Sequence, residues 1–320
     1  MRPAIYWVDL LVSATLAWAT FIGSYLLGAT HPAYVPLIVV SALIWVRAGT
    51  FMHELAHRTR AELPGFHAAW NVLVGIPATT PSSMGWRHTE HHASHTFGTI
   101  EDPEWAPVPA WRRWRLLFAS SSNFVFPWVL ALRFGVVTVL SHLHPALRRH
   151  AVGKLSTNDI YGGYTRPPVP PERRRAFIGL EVACMALVWA GLIASMLGVL
   201  SWWFHLHRGL LMTLGLLFNH ARLMVQHRYR AEGEPMSLAE QALDAVTLGP
   251  ESPSTAVISP IGSRFHALHH ALPGVPYHAL PAAHRLLMAE LPADHPYRDT
   301  VAPGFFAAWR ARWAQAGSAP

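Results

Sequence analysis

The chain has a single cysteine, Cys184, and a single lysine, Lys154. A lone thiol excludes a disulfide-stapled secreted module, a thiolate zinc ribbon and an iron–sulfur cluster. Charge is scarce as well: Asp, Glu, Lys and Arg make up 13% of the 320 residues and apolar residues 52%, too apolar a balance for an ordinary soluble domain. That apolar content, with 14 tryptophans, also excludes intrinsic disorder. Acidic residues number 18, fewer than the 21 histidines. What remains is a membrane protein rich in imidazole.

The net charge of +7 is carried by arginine and Lys154. No basic run is interleaved with stacking aromatics, so nucleic acid is not expected as a partner. In a membrane protein, positive charge marks cytoplasmic loops and lipid headgroups. A spanning helix needs about 20 apolar residues, and four stretches qualify: residues 5–27, 33–51, 177–200 and 209–225. They pair into two hairpins. The turn at 29–32 carries no Arg or Lys and that at 201–208 only Arg208, whereas 52–175 carries 14. The positive-inside rule therefore places the middle segment and both termini in the cytoplasm, with a bacterial inner membrane as the expected location. Residues 66–76 and 116–140 are apolar but interrupted by Asn71, Pro127 and Arg133, and are expected to lie on the membrane interface. Residues 166–172 (RPPVPPE) predict an extended connector. The expected fold is all-α and integral to the membrane, with four transmembrane helices in two hairpins and a cytoplasmic helical cap. One domain is expected over 1–314, followed by a flexible tail at 315–320.

Three histidine clusters stand out: His53-Glu54-Leu55-Ala56-His57, His88-Thr89-Glu90-His91-His92 and His266-Ala267-Leu268-His269-His270. On a helix, positions i, i+3 and i+4 share a face, so HxxxH offers two converging imidazoles and HxxHH three. Neutral imidazole suits iron, zinc, copper or nickel. At 21 histidines in 320 residues, one HxxHH is expected by chance roughly 0.1 times per chain, so two of them argue for a metal site. The first cluster is also a literal HExxH, the zinc-protease motif. Arg60 and Leu63 occupy the Gly and His positions of its extended form, and the other two clusters would go unexplained. A non-catalytic haem or metal carrier needs ligands within the spans. The clusters lie outside them, and Asp9, Glu181 and Arg222 are the few ionisable residues inside.

This arrangement resembles the membrane fatty acid desaturase family, within the integral-membrane di-iron desaturases and hydroxylases. The resemblance covers roughly residues 45–290. HTEHHASHTFGTIEDPE (His88 to Glu104) is similar to the second box with its downstream Gly-x-x-x-Asp-Pro. Phe265 to His284, with Pro273, Pro276 and His278, is similar to the third, and Asn219 to Glu234 to the segment in which a further histidine, here His227, supplies a ligand. The resemblance implies nine ligands: His53, His57, His88, His91, His92, His227, His266, His269 and His270. It further implies two non-haem irons, dioxygen as co-substrate and a fatty acyl lipid as substrate, with desaturation as the main expectation and hydroxylation as the alternative. Some relatives place an Asn four residues before the extra His; here that position is Leu223, with Asn219, His220 or Gln226 as candidate substitutes. Glu54, Glu90, Glu101, Asp102 and Asp244 are candidates to orient the rings. With no HPGG haem motif and no rubredoxin-like cysteines, electrons are expected from a separate ferredoxin, rubredoxin or cytochrome with its reductase, docking on the Arg-rich face.

Overall fold

In the computed structural model, which describes residues 1–105, 112–157, 163–249 and 253–317, regular structure is almost entirely helical. In chain order the helices are α1 (Pro3–Leu27), α2 (Tyr34–His57), α3 (Phe66–Trp70), α4 (His88–His91), α5 (Arg113–Ser121), α6 (Phe126–Leu132), α7 (Thr138–Leu143) and α8 (Pro145–Lys154), followed by α9 (Pro171–Met196), α10 (Trp203–Leu223), α11 (Leu238–Asp244), α12 (Pro253–Ile258), α13 (His266–Ala271), α14 (Leu280–Glu290) and α15 (Phe305–Gly317). Strands β1 (Thr247–Leu248) and β2 (Val301–Ala302) pair in parallel. The chain divides into two compact units. A hairpin unit comprises Tyr6–Arg87 and Ser122–Leu216; a histidine unit comprises Met1–Ile5, His88–Ser121 and Leu217–Pro320.

Among the described residues four helical runs are long and apolar enough to cross a membrane: Pro3–Leu27, Tyr34–His57, Phe126–Leu143 and Pro171–Met196. Three coincide with expected spans. The fourth replaces the expected 209–225, which is helical within α10 but carries His205, His207 and Arg208 at one end and His220 and Arg222 at the other. The 126–143 run overlaps residues 116–140, which were expected to lie on the membrane interface. Two features reconcile the apparent breaks with a continuous helix. Pro127 sits in the first turn of α6, where its missing N–H costs nothing, and a wide turn over Arg133–Val137 joins α6 to α7. Arg133 is buried and paired with the buried Glu181 of α9, which also accepts from Arg148 Nη2 at 2.6 Å.

Indoles tie the first hairpin by satisfying carbonyls in an apolar setting: Trp45 donates to Ala17 O at 3.0 Å and Trp18 to Leu73 O at 2.9 Å. Asp9 is neutralised by Arg47. Residues 66–75 are helical, with a wide turn over Asn71–Gly75. Asn71 is used rather than disruptive, exchanging side-chain hydrogen bonds with Ser82. His207 is buried, bonded to Ser24 and Tyr34. The Pro-rich connector is extended only to Pro170, because Pro171 and Glu172 open α9.

The histidine unit gathers short helices around Phe265, Leu268, Leu280 and Tyr297. Helix α11 starts on a reciprocal cap, with Ser237 Oγ accepting from Glu240 N and Glu240 Oε2 from Ser237 N. That fixed start sets where its last residue, Asp244, points. The antiparallel bridge His227 to Ala245 then holds the loop after α10 beside α11. The final helix runs to Gly317, past the start of the expected tail, whose residues 318–320 lie outside the described residues.

Candidate metal centre

Helix α13 begins at His266, so His269 and His270 follow one turn later and all three rings are buried. Helix α4 is a single turn with the same use, ending beside His92. In the histidine unit these side chains form two sets. His91, His227, His266 and His270 each bring one ring nitrogen within 4.8 Å of the others, and so do His88, His92 and His269. The convergent atoms are Nε2. His227 Nε2 lies 2.8 Å from His266 Nε2 and 3.1 Å from His91 Nε2, and His266 Nε2 lies 3.2 Å from His270 Nε2. In the second set His92 Nε2 is 3.1 Å from His88 Nε2 and 3.2 Å from His269 Nε2. A metal that holds imidazole nitrogens at about 2.1 Å separates neighbouring donors by about 3.0 Å in octahedral geometry. The observed spacing is therefore that of ligands around one ion, and a neutral, all-imidazole set suits iron and its neighbours in the first transition row.

The opposite ring nitrogens are held by carboxylates. His91 Nδ1 faces Asp102 Oδ2 at 2.9 Å, His88 Nδ1 faces Glu104 Oε1 at 2.5 Å and His227 Nδ1 faces Asp244 Oδ2 at 3.1 Å. Such a carboxylate accepts a hydrogen bond from the Nδ1–H, which keeps the proton on that nitrogen and leaves the Nε2 lone pair for metal. The segment Gly98 to Glu104 folds back to reach the rings. Gly98 has φ +83°, and a Cβ there would meet Ala231 Cβ at 2.4 Å. Its N–H donates to Asp102 Oδ2, and the Glu104 N–H to Asp102 Oδ1 at 2.9 Å. Phe97 is buried and packs on His91, His227 and His270 with centroids 5.0 to 5.5 Å away, closing one side to water. Arg312 of α15 clamps the backbone, donating from Nε to Met224 O at 3.1 Å and from Nη2 to His227 O.

Electrostatics follow the same division. Burial, reinforced by neighbouring imidazoles, pushes His266 and His270 well below the usual histidine range, so both are neutral and able to ligate. Burial also lowers His227 against the opposing pull of Asp244. Burial alone would raise the Glu104 carboxyl, but His88, His91 and His227 outweigh it and bring it to about 2. Burial would likewise depress His91, yet Asp102, Glu104 and Asp244 raise it to about 9, so metal binding at Nε2 must displace the second ring proton.

Of the residues expected to orient the rings, Asp102 and Asp244 are hydrogen-bonded to ring nitrogens of His91 and His227. Glu104, two residues beyond Asp102, was not anticipated; its only sequence signal was its place at the end of the Gly-x-x-x-Asp-Pro-Glu segment. Glu54 accepts instead from Tyr6 Oη at 2.5 Å, and its carboxylate is 3.8 Å from both His53 Nδ1 and Arg58 Nε. The Glu90 carbonyl accepts from Thr96 Oγ1. Glu101 is exposed. Asn219 accepts from Arg222 Nη2 at 2.7 Å, Gln226 donates to Ser263 O at 3.1 Å and His220 is buried. None of these three belongs to the two histidine sets of this unit. His53 and His57 belong to the hairpin unit, on the last turns of α2, with ring centroids 5.0 Å apart.

The chain matches the family model described as fatty acid desaturase over residues 29–301. It is also 37% identical over 311 residues, 96% of this chain and 87% of the other, to a ceramide hydroxylase of Caulobacter vibrioides (strain NA1000 / CB15N). By the extent of both matches, the chain belongs to the fatty acid desaturase family, a family of membrane lipid oxidoreductases.

Proposed function

We propose that this protein is a membrane-bound, oxygen-dependent di-iron hydroxylase that acts on the hydrocarbon chain of a ceramide-like lipid. The observation that carries the reaction type is the 37% identity, along 96% of the chain, to a ceramide hydroxylase. It favours the hydroxylation alternative over desaturation, the main expectation from the histidine boxes, which both reactions share.

Nine histidines serve as ligands in this reading. The geometry of His88, His91, His92, His227, His266, His269 and His270 supports seven of them. His53 and His57 enter on the family motif and on their i, i+4 placement in α2. When bound, two irons would supply activation of dioxygen for attack on an unactivated C–H bond. The protein's own contribution is preorganisation. Asp102, Glu104 and Asp244 hold the Nδ1 protons of His91, His88 and His227 and so fix which nitrogen faces the metal. Phe97 excludes water from the four-histidine set. Electrons come from a separate redox protein.

The test is a lipid extract from a ceramide-containing host that expresses the protein under isotopically labelled dioxygen. A product heavier by one labelled oxygen atom is expected. A product lighter by two hydrogens would instead establish a desaturase.

A further inference from the structure

In the hairpin unit, Arg166 lies in the extended connector before α9 and is only 4% exposed. Its Nη1 donates to two neutral carbonyls, Ser83 O at 2.9 Å and Ser156 O at 2.7 Å. Its guanidinium sits over the Phe177 ring at 5.0 Å and the Trp86 ring at 5.8 Å. Arg173, exposed in the first turn of α9, lies over the same Trp86 ring at 5.5 Å. Among the described residues neither arginine forms an ion pair. Glu181, two turns further along α9, is already shared by Arg133 and Arg148, and the neighbouring Glu172 pairs with neither. Burial, with Arg87 and Arg173, opposes the Arg166 charge, which Tyr164 and Glu181 favour.

Among the described residues the carboxylate nearest this cluster, Glu181, is shared by Arg133 and Arg148, so the buried Arg166 is left in excess positive charge that a further anion would offset. Three features identify that anion. Each of the two guanidiniums at the Trp86 ring presents a fork of N–H donors that matches the oxygens of a phosphate. The N-terminus of α9 adds the positive end of a 26-residue helix. The site also stands where an apolar, membrane-length helix begins, the depth of lipid phosphates.

We propose that Trp86, Arg166, Arg173 and Phe177 form a binding site for the phosphate headgroup of an anionic membrane lipid. The site is independent of the reaction type, and its test reads binding rather than turnover. Wild-type protein in phosphatidylcholine nanodiscs is titrated with phosphatidylglycerol, and retained lipid is counted by native mass spectrometry. One phosphatidylglycerol per chain is expected, with Arg166→Gln and Arg173→Gln each weakening retention at least about tenfold and Arg285→Gln, on exposed α14 surface, leaving it unchanged. Arg173 is exposed, so its variant keeps the fold even if Arg166→Gln does not. Wild-type retention by Arg173→Gln would overturn the proposal. So would displacement of the lipid by millimolar inorganic phosphate, which would mark a site for the free ion.

Discussion

His88 Nδ1 lies 2.5 Å from Glu104 Oε1, across sixteen residues of chain that fold back at Gly98. The contact turns His88 Nε2 toward His92 and keeps the ring proton on Nδ1, which donates it to the carboxylate as a hydrogen bond. Glu104→Gln preserves shape but removes the charge that favours this tautomer. Iron affinity is expected to fall about 10–100-fold, read by iron titration of the chelator-stripped protein. Unchanged affinity would make the contact incidental to metal binding.

His227→Ala is expected to abolish iron retention in the four-histidine set and hydroxylation with it, although His227 lies outside the three boxes. His220→Ala, which removes a buried ring outside both histidine sets of its unit, is expected to retain iron. Metal content of the two purified variants, measured side by side, decides the assignment. Full iron and full turnover in His227→Ala would remove it from the ligand set.

Metal analysis of the detergent-purified wild type is expected to give about two irons per chain, the number that nine imidazoles can hold. Chelation should end oxygen incorporation and ferrous iron restore it. One zinc per chain, retained after His266→Ala, would instead point to the HExxH protease reading of His53 to His57.

Arg312→Met removes the clamp on the Met224 and His227 carbonyls. Leaving these buried acceptors without their donor is expected to destabilise the protein by about 1–3 kcal/mol. A lower Tm together with faster iron loss in a chelator challenge is the expected pair of results. A lower Tm with unchanged iron loss would confine Arg312 to general stability.

Glu181→Gln leaves two buried or half-buried arginines, Arg133 and Arg148, without their carboxylate. Breaking a buried pair in this way costs about 3–5 kcal/mol. Thermal unfolding in detergent should show the loss, and adding Arg133→Met to Glu181→Gln should recover part of it. Additive losses in the double variant would show that the pair is not coupled.

The first hairpin and the third span could be read from the chain because apolar length is a local property. The run 126–143 could not, since Arg133 looks like an interruption until Glu181, 48 residues away, neutralises it. The same limit applied to Glu54 and Glu104. Glu54 stands beside two histidines in sequence yet bonds Tyr6, whereas Glu104 looked remote and contacts His88.

By itself the sequence determined that the protein is apolar, helical and built around grouped imidazoles, because helical periodicity places i, i+3 and i+4 on one face whatever surrounds the helix. Only the tertiary structure decided which Nε2 atoms converge, which carboxylates hold the opposite nitrogens and which one neutralises Arg133. Those outcomes depend on distances between residues far apart in the chain. They are set by where the short helices of the histidine unit and the long ones of the hairpin unit pack, which no local pattern encodes.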